Sequence, residues 1–413
     1  MFVSKILAGK YEEIKINELL SDSFFSQTTL KPFNQKTIDF FSSLSNNLLK
    51  DKISSSNPDL VSLGFWLRKS NIDKIKNNFL AVLDKNQLAV PRGIAFHIAP
   101  SNVDTIFMYS LSFSMLAGNH NIVRISQNIN PQMQRLLEII NNTMCQPEFE
   151  EIAKRNFVIS YPHSDEIGSY LSLKSDIRII WGGDSTVNKI RSFPSKPTTK
   201  DISFADKVSY TIINSENYLN CNEKELKSIA HNFFNDAYYF NQLGCSSPRI
   251  VYFIGKNEDS NNASLVFWDE LGKELKSRQY EDEPSVAINK LVEKYSQAAK
   301  GIELKIFTEP SNQKASVIRI EKNAISQCRE TCGGGFFYEC FLGKLSDIQP
   351  YVQSNDQTLT YFGFEKDNLK DLVINLNGKG IDRIVPIGMA LAFSTVWDGY
   401  DLLNEVTKRI SII

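Results

Sequence analysis

From Leu88 onward, apolar strands alternate with helical stretches along the chain. LAVPRGIAFHIAPSN is an apolar strand bounded by Pro and Gly, IFMYSLSFSMLAG has the spacing of a helix, and NIVRISQ is a second buried strand. The alternation continues through RNFVISYP, HSDEIGSYLSLKS, DIRIIWGGD and STVNKIRSF. Strands joined by crossover helices lie parallel and follow the right-handed rule. The sequence therefore predicts an α/β protein with a Rossmann-type parallel sheet.

Length, charge and cysteine spacing exclude several classes of protein. At 413 residues the chain exceeds what one hydrophobic core usually serves, so we expect two main domains. A net charge of -1 without a basic block argues against nucleic acid as a partner. The chain lacks a secretory leader pattern and a run of 18 apolar residues, which predicts no transmembrane segment. Six scattered cysteines without CxxC spacing disfavour a zinc site and favour a cytoplasmic location.

Cys245 is a candidate nucleophile because the residues around it are small. In YYFNQLGCSSPRIVYF it lies between Gly244 and Ser246, at a predicted turn between a helix and a strand. Small flanking residues would let a planar acyl carbon approach the sulfur. The alternative is that Cys245 is a small buried hydrophobic residue, as most free cysteines are.

Gly182 and Gly183 end one predicted strand and precede a helix that Asp184 and Ser185 could cap. Backbone N–H groups at such a helix N-terminus suit a phosphate group. On their own, two glycines after a strand more often form a plain turn.

Four motifs in order resemble those of the aldehyde dehydrogenase superfamily: PRGIAFHIAPSNVD, LAGNHNIVRIS, IIWGGDSTV and FNQLGCSSPR. More narrowly, CGGGFFYE, QTLTYFGF and GIDRIVPIGMALAFSTVWDGYDLL resemble the C-terminal signatures of the long-chain acyl-CoA reductase family of bacterial bioluminescence. The resemblance begins near residue 85. It implies an aldehyde dehydrogenase-like fold, in which a cofactor domain is followed by an α/β catalytic domain.

The resemblance assigns the catalytic roles. Cys245 would take the acyl group from a thioester, and Asn102 of APSN would donate an amide N–H to the thiohemiacetal oxyanion together with the backbone N–H of Cys245. Removing one such donor typically lowers the rate by about 10²–10³. A helix cap is the alternative role of Asn102.

A departure from the superfamily favours a reductase. In the hydrolysing aldehyde dehydrogenases a glutamate activates water against the acyl-enzyme, but KDISFADKVSY has Phe204 and Ala205 about where it would fall. Asp206 lies near enough to leave that role open. An acyl-enzyme without a base survives long enough to receive hydride. We therefore expect a fatty acyl-CoA substrate that is reduced to the aldehyde. The alternatives are a partner enzyme that supplies the acyl group, the reverse aldehyde oxidation, and a non-catalytic scaffold.

The resemblance also implies the cofactor residues. Arg124 and Gln127, with Ser126 before the glutamine, occupy the strand end that meets the adenosine ribose in the superfamily. An arginine can bind a 2′-phosphate and a neutral glutamine does not repel it, so we expect NADPH. Glu330 or Glu339 would contact the nicotinamide ribose, and spacing favours Glu330.

The resemblance and the chain order together give the expected organisation. Residues 1–85 would pack on the NADPH-binding domain of residues 86–210, and residues 211–385 would form the catalytic domain. Residues 386–413 would complete the cleft or a subunit interface, and a homo-oligomer is expected. The charged stretch KNEDSNNAS is predicted to be a loop or a solvated face. His97 and His163, and the cysteines Cys328, Cys332 and Cys340, are expected to be structural.

Overall fold

The computed structural model describes residues 1–413 except 8–9, 101–102, 104, 302–304 and 308–314. Two compact units divide the chain, one formed by residues 1–205 with 395–413 and the other by residues 206–394. Each has its own parallel sheet.

The first unit begins with a hairpin and a helical segment and continues as alternating strands and helices. Its elements are β1 Phe2–Leu7, β2 Lys10–Lys15, α1 Ile16–Leu19, α2 Asp22–Ser26, α3 Gln35–Lys50, α4 Pro58–Trp66, α5 Lys69–Ala81, β3 Gln87–Pro91, β4 Ile94–Ile98, α6 Ile106–Leu116, β5 His120–Ile125, α7 Pro131–Met144, α8 Glu150–Ala153, β6 Asn156–Ser160, α9 Asp165–Lys174, β7 Ile177–Trp181, α10 Asp184–Arg191 and β8 Lys200–Phe204. Side-chain caps begin several helices, as at Asn130 before α7 and Ser164 before α9.

The sheet of the first unit has the strand order β2-β1-β6-β5-β4-β7-β8. Strands β4 to β8 are parallel, and β1 pairs antiparallel with β6. The chain proceeds from β4 through β5 to β6 and then crosses to β7 on the other side of β4. Such a reversal creates a crevice at the carboxyl ends of the strands, where ligands bind in open α/β sheets. Every residue of β4 and β7 is buried, because helices cover both faces.

The second unit repeats the α/β pattern around a sheet of order β11-β12-β13-β10-β9-β14-β15. Its strands are parallel except β11, which pairs antiparallel with β12. Its elements are β9 Val208–Asn214, α11 Ser215–Leu219, α12 Glu223–Tyr238, β10 Pro248–Ile254, α13 Asn257–Ser277, α14 Pro284–Ala299, β11 Lys305–Phe307, β12 Ser316–Arg319, β13 Phe336–Leu342, β14 Asp356–Phe362, α15 Lys366–Leu376 and β15 Arg383–Pro386.

The stretch KNEDSNNAS is helical, so its prediction as a loop was wrong. Residues Asn257–Ser277 form α13, and Ser260, Ala263 and Ser264 already face the interior in its first two turns. Charged residues at the start of a helix face solvent on one side and complement the helix dipole, which made the stretch look like a loop. Its exposed side is the solvated face that the charge pattern predicted.

The last residues of the chain return to the first unit. They form β16 Val396–Trp397, β17 Tyr400–Asp401, α16 Leu402–Val406 and β18 Thr407–Ser411, and β18 pairs antiparallel with β3. The side chain of Asn119 holds this C-terminal segment in place. Its Oδ1 accepts from the backbone N–H groups of Arg92 and Gly93 at 2.8 and 3.0 Å, and its Nδ2 donates to the carbonyl of Val406 at 2.9 Å. One buried amide therefore joins the start of β4 to the C-terminal segment.

We expect Asn119→Ala to lower the free energy of unfolding by about 2–4 kcal/mol, because one buried carbonyl and two partly buried N–H groups lose their partner. Chemical denaturation of the variant measures this. Asn78→Ala, at an exposed position of α5, is the matched control and should leave the midpoint unchanged. Equal midpoints for the two variants would contradict the assigned role of Asn119.

Candidate functional site

The candidate nucleophile lies in the loop between α12 and β10. A capping box of Asn222 and Glu225 begins α12, and the helix ends at Tyr238, seven residues before Cys245. Two loop residues, Asn241 and Gln242, have positive φ of 48° and 61°. Residues other than glycine seldom adopt this left-handed backbone conformation, so tertiary contacts must hold the loop in place.

The side chain of Gln242 supplies those contacts. It is buried, and its Nε2 donates to the carbonyls of Pro248 and Phe336 at 2.9 and 2.8 Å. Its Oε1 accepts from the backbone N–H of Gly335 and Phe336 at 3.1 and 2.9 Å. We call this set of four hydrogen bonds the Gln242 clamp, and it binds the Cys245 loop to the start of β13.

The loop before β13 is shaped to fit against the Cys245 loop. The backbone N–H of Gly334 donates to the carbonyl of Asn241 at 2.7 Å. Gly335 has φ of +80°, and a Cβ there would come within 2.2 Å of the Tyr238 hydroxyl. A glycine is therefore required at residue 335, which explains part of the CGGGFF motif.

Cys245 is partly exposed and is held from two sides. The Ser209 hydroxyl donates to its carbonyl at 2.7 Å, and Nε2 of Gln357 donates to its sulfur at 3.3 Å. Thr358 Oγ1 donates to Oε1 of Gln357 at 3.3 Å, which directs the amide nitrogen toward the sulfur. A donor at this position stabilises a thiolate more than a thiol.

Charged residues surround the loop. Burial lowers the pKa of Arg249, while the negative charges of Cys245, Asp206 and Glu330 act in the opposite direction. Arg249 donates to the carbonyl of Arg329 at 3.3 Å. A guanidinium near the sulfur favours its negatively charged form, as cations do beside reactive cysteines.

A buried ion pair supports Gln357. Arg329 pairs with Asp356, the neighbour of Gln357 in β14, and Asp356 also accepts from the Tyr210 hydroxyl at 3.2 Å. Burial raises the pKa of Asp356, whereas the charge of Arg329 lowers it. The pair fixes the start of β14 and therefore the position of the Gln357 amide.

The segment that corresponds to the water-activating glutamate of the superfamily has both buried and exposed residues. Phe204 is buried at the end of β8 and stacks on Trp181 with ring centroids 3.7 Å apart. Asp206 is exposed in the loop that follows. Asn102, the expected oxyanion donor, lies outside the described residues.

The expected cofactor residues of the first unit lie at the carboxyl ends of the parallel strands β5 and β7. Arg124 is partly buried in β5, with its guanidinium 5.4 Å from the centre of the Tyr161 ring, and Gln127 is exposed beyond the strand. Ser126 Oγ accepts from the backbone N–H of Asn128 at 3.2 Å. Since β5 and β7 flank β4 and all three strands are parallel, the carboxyl ends of β5 and β7 lie at the same edge of the sheet.

Gly182 and Gly183 follow β7 and begin α10. The N–H of Gly182 donates to the carbonyl of Phe204 at 3.1 Å, and Gly183 is the N-cap residue. A Cβ on Gly182 would lie 3.0 Å from the Cβ of Thr186, so a small residue suits this turn. Asp184 adds a carboxylate to the first helical turn.

The two glutamates considered for the nicotinamide ribose differ in their surroundings. Glu330 is exposed. Glu339 is fully buried in β13, where it pairs with Arg319 at 2.7 Å and accepts from Ser264 and Trp268 at 2.7 and 2.8 Å. These contacts therefore hold the Glu339 carboxylate in the interior of the second unit.

The remaining candidate side chains are packed or lie at the surface. His97 is buried and shares a hydrogen bond of 3.0 Å with Asn121, and burial lowers its pKa to about 4. His163 is exposed beyond β6. Burial raises the pKa of Cys328 and Cys332 to about 11, as expected for structural thiols.

A family model describes most of the chain. The acyl-CoA reductase (LuxC) family matches residues 71–409. This chain belongs to that family. The prediction of a long-chain acyl-CoA reductase relative from the cysteine motif and the C-terminal signatures is thus confirmed.

Curated relatives carry a related name. The long-chain acyl-protein thioester reductases of Photorhabdus laumondii subsp. laumondii and Aliivibrio fischeri are each 24% identical to this chain, over 330 and 341 residues. Each match covers 79% of this chain and 64% of the relative. The chain therefore spans slightly less than two thirds of those proteins.

Solved structures confirm the predicted aldehyde dehydrogenase-like fold. A lactaldehyde dehydrogenase superposes with a TM-score of 0.66 at 11% identity, covering 100% of this chain and 95% of the other. A 1-pyrroline-5-carboxylate dehydrogenase variant of Thermus thermophilus gives 0.67 at 12% identity, covering 99% and 92%. Among the described residues, no helix is long and apolar enough to cross a membrane.

Gln242, Gln357 and Arg249 were missed by sequence reasoning. Gln242 and Arg249 lie within a few residues of the cysteine, and Gln357 opens the QTLTYFGF motif, so each stands in a segment that had been singled out. The contact between the Gln357 amide and the Cys245 sulfur could not be predicted from the sequence, because Gln357 lies 112 residues beyond Cys245.

We expect Gln357→Met to slow alkylation of Cys245 by iodoacetamide about fivefold at neutral pH. The methionine keeps the length of the side chain and removes the donor that stabilises the thiolate. Gln357→Glu should slow the reaction further, because a carboxylate repels the thiolate. Peptide mass spectrometry follows alkylation at each cysteine. Unchanged rates at Cys245 in both variants would show that the contact has no effect on reactivity.

Proposed function

We propose that this protein reduces a long-chain fatty acyl thioester to the aldehyde with NADPH, through an acyl group bound to Cys245. Membership of the acyl-CoA reductase family supports the reaction class. The observation that carries the proposal is the hydrogen bond from Gln357 Nε2 to the Cys245 sulfur, in a loop that the Gln242 clamp holds. A buried amide directed at a sulfur is what a positioned nucleophile needs.

In the acylation step, the Cys245 thiolate attacks the thioester carbonyl carbon. A new C–S bond forms to Cys245, the bond to the original thiol breaks, and that thiol leaves with the electron pair. Gln357 orients the sulfur, and the positive charge of Arg249 stabilises the thiolate before attack. The backbone N–H of Cys245 and, by family resemblance, the amide of Asn102 would bind the oxyanion.

In the reduction step, hydride adds to the acyl carbon and the resulting thiohemiacetal collapses to aldehyde, releasing the Cys245 thiolate. NADPH, when bound, supplies that hydride. The net reaction is thioester plus NADPH and a proton, giving aldehyde, thiol and NADP⁺. Phe204 and Ala205 stand where the superfamily glutamate would fall, and the Asp206 side chain is exposed to solvent, so we infer that hydrolysis is slow compared with reduction.

The first unit has residues that suit a dinucleotide phosphate. Gly182 and Gly183 leave little bulk before the helix α10, and the sheet reversal beside β4 forms the crevice in which such cofactors bind. Arg124 would pair with the 2′-phosphate, and the neutral Gln127 would not oppose it. PnpE, a solved structure at 10% identity, is described in complex with nicotinamide adenine dinucleotide, which supports a nicotinamide cofactor for this fold. On the second unit, exposed Glu330 would contact the nicotinamide ribose.

Two acyl donors fit this chemistry. The family description names acyl-CoA, whereas the relatives are named for acyl-protein thioesters. Both present the same carbonyl carbon to Cys245. We also propose that the protein forms a homo-oligomer, as the resemblance implies.

A panel of saturated fatty acyl-CoA thioesters, monitored by NADPH absorbance, tests the proposed function. We expect aldehyde formation with NADPH consumption, and we expect Cys245→Ser to lower the rate by at least about 10³, since a serine there lacks a base. Cys145→Ser, at an exposed free thiol, is the matched control and should keep full activity. Turnover retained by Cys245→Ser would refute the assignment of the nucleophile.

A second prediction concerns the cofactor. Arg124→Ala should raise KM for NADPH about tenfold to a hundredfold and leave KM for NADH nearly unchanged, because only NADPH carries the 2′-phosphate. Steady-state kinetics with both cofactors measures the difference. Arg68→Ala, at an exposed arginine of the same unit, should change neither value. Equal effects of Arg124→Ala on the two cofactors would contradict the preference.

A further inference from the structure

A cavity of about 270 Å³ lies in the first unit, between the second half of α7 and the start of β6. Its walls are mainly apolar and include Leu137, Ile140, Met144, Phe157 and Val158. Since β6 runs parallel to β5 and β4, the start of β6 lies at the amino edge of the sheet. The expected cofactor residues lie at the carboxyl edge, so the cavity is separate from them.

One buried amide in the cavity wall lacks a hydrogen-bond partner. Asn141 lines the cavity and is 6% exposed, and its Nδ2 donates to no atom of the described residues. Its Oδ1 accepts a weak hydrogen bond from Sγ of Cys145 at 3.7 Å. The neighbouring amide of Asn156 is satisfied at both ends, because it donates to Ile152 and accepts from Asn121, each at 2.7 Å. An unpaired buried N–H destabilises the fold, and an acceptor oxygen on a ligand would remove that cost.

The cavity also has one ammonium group that no carboxylate neutralises. Lys5 of β1 lines the cavity, and its Nζ lies 5.2 Å from the centre of the Phe157 ring. Glu12 is its neighbour across the hairpin, but no ion pair to Lys5 occurs within the described part of the chain. Glu150 is the carboxylate that lines the cavity, and Lys154 pairs with it at 2.6 Å. The charge that remains for a ligand is therefore positive.

We propose that this cavity binds a medium-chain carboxylate, whose headgroup pairs with Lys5 and accepts from Nδ2 of Asn141 while its chain packs against α7 and β6. A volume of 270 Å³ holds roughly nine groups the size of a water molecule, at about 30 Å³ each, and octanoate is of that size. Ligand sites of this kind combine mainly apolar walls with a few polar groups that orient the ligand. Every residue that lines the cavity belongs to the first unit, so the site is independent of Cys245.

Cys145 gives a local readout, because it lines the cavity and is exposed to solvent. We expect octanoate at about ten times its Kd to slow alkylation of Cys145 by iodoacetamide about tenfold, since an occupied cavity shields the thiol. The Kd should be on the order of 0.1–1 mM for a ligand of this size. Cys221 of the second unit is partly exposed and serves as the internal control, whose rate should not change. Peptide mass spectrometry follows both thiols.

Two further probes test the headgroup. Octanol has the same chain without a charge, and octylamine carries the opposite charge. Octanoate should protect Cys145 at a concentration at least about tenfold lower than either probe, because only the carboxylate can pair with Lys5. Equal protection by octanoate and octylamine would refute the proposed ligand class.

Two variants test the polar groups. Lys5→Met keeps the length of the side chain and removes the ammonium group, so it should raise Kd for octanoate about tenfold and leave Kd for octanol unchanged. Asn141→Leu should weaken octanoate binding by a similar factor without lowering the midpoint of chemical denaturation, because its Nδ2 has no hydrogen bond to lose. A lowered midpoint with unchanged octanoate binding would show that Asn141 has a structural role and would overturn its assignment.

A larger side chain in the wall tests the cavity itself. Ala153→Phe places a ring against the cavity and should abolish the protection of Cys145 by octanoate. Ala81→Phe, at the exposed end of α5, is the matched control and should keep full protection. The site would be overturned by protection that persists in Ala153→Phe. Equal alkylation of wild-type Cys145 with and without about 10 mM octanoate would overturn it as well. Either result would leave the chemistry proposed for Cys245 untouched.

Discussion

The candidate site depends on one buried amide, that of Gln242. Three of its four hydrogen bonds join the loop before β10 to the start of β13, and the fourth goes to the carbonyl of Pro248. Asn241 and Gln242 both have left-handed backbone conformations, which cost roughly 1–3 kcal/mol each. Each hydrogen bond contributes about 1 kcal/mol, so the clamp roughly offsets that strain. Contacts between distant segments, rather than local preference, therefore set the position of Cys245.

Around this clamp, charge and hydrogen bonding combine to favour a thiolate. Gln357 contacts the sulfur directly, and the Arg329–Asp356 pair holds the strand from which Gln357 projects. Arg249 adds a positive charge beside the loop, although burial lowers its pKa. A cysteine without a neighbouring base can still be nucleophilic under these conditions, because attack requires only the thiolate.

Sequence reasoning anticipated the order of strands and helices, because period-2 and period-3.6 patterns are local properties of the chain. It singled out Cys245 as a candidate by its small neighbours and by the order of the motifs around it. It could not find Gln357 as a partner of the sulfur, or Gln242 as a clamp, because each bond joins residues about a hundred positions apart. It misjudged KNEDSNNAS because the charges that begin α13 also resemble a loop. The unpaired amide of Asn141 became visible only when the hydrogen bonds around the cavity were known.

The lifetime of the acyl-enzyme tests the central claim most directly. Cys245 is acylated from an acyl-CoA without cofactor, and the products are then counted as free acid from water or as new thioester from an added thiol. The account predicts a persistent acyl group on Cys245, released mainly by the thiol, with the same slow hydrolysis in Asp206→Asn. Rapid release of free acid that disappears in Asp206→Asn would contradict it, because a working base would then place this protein's chemistry with the hydrolysing aldehyde dehydrogenases.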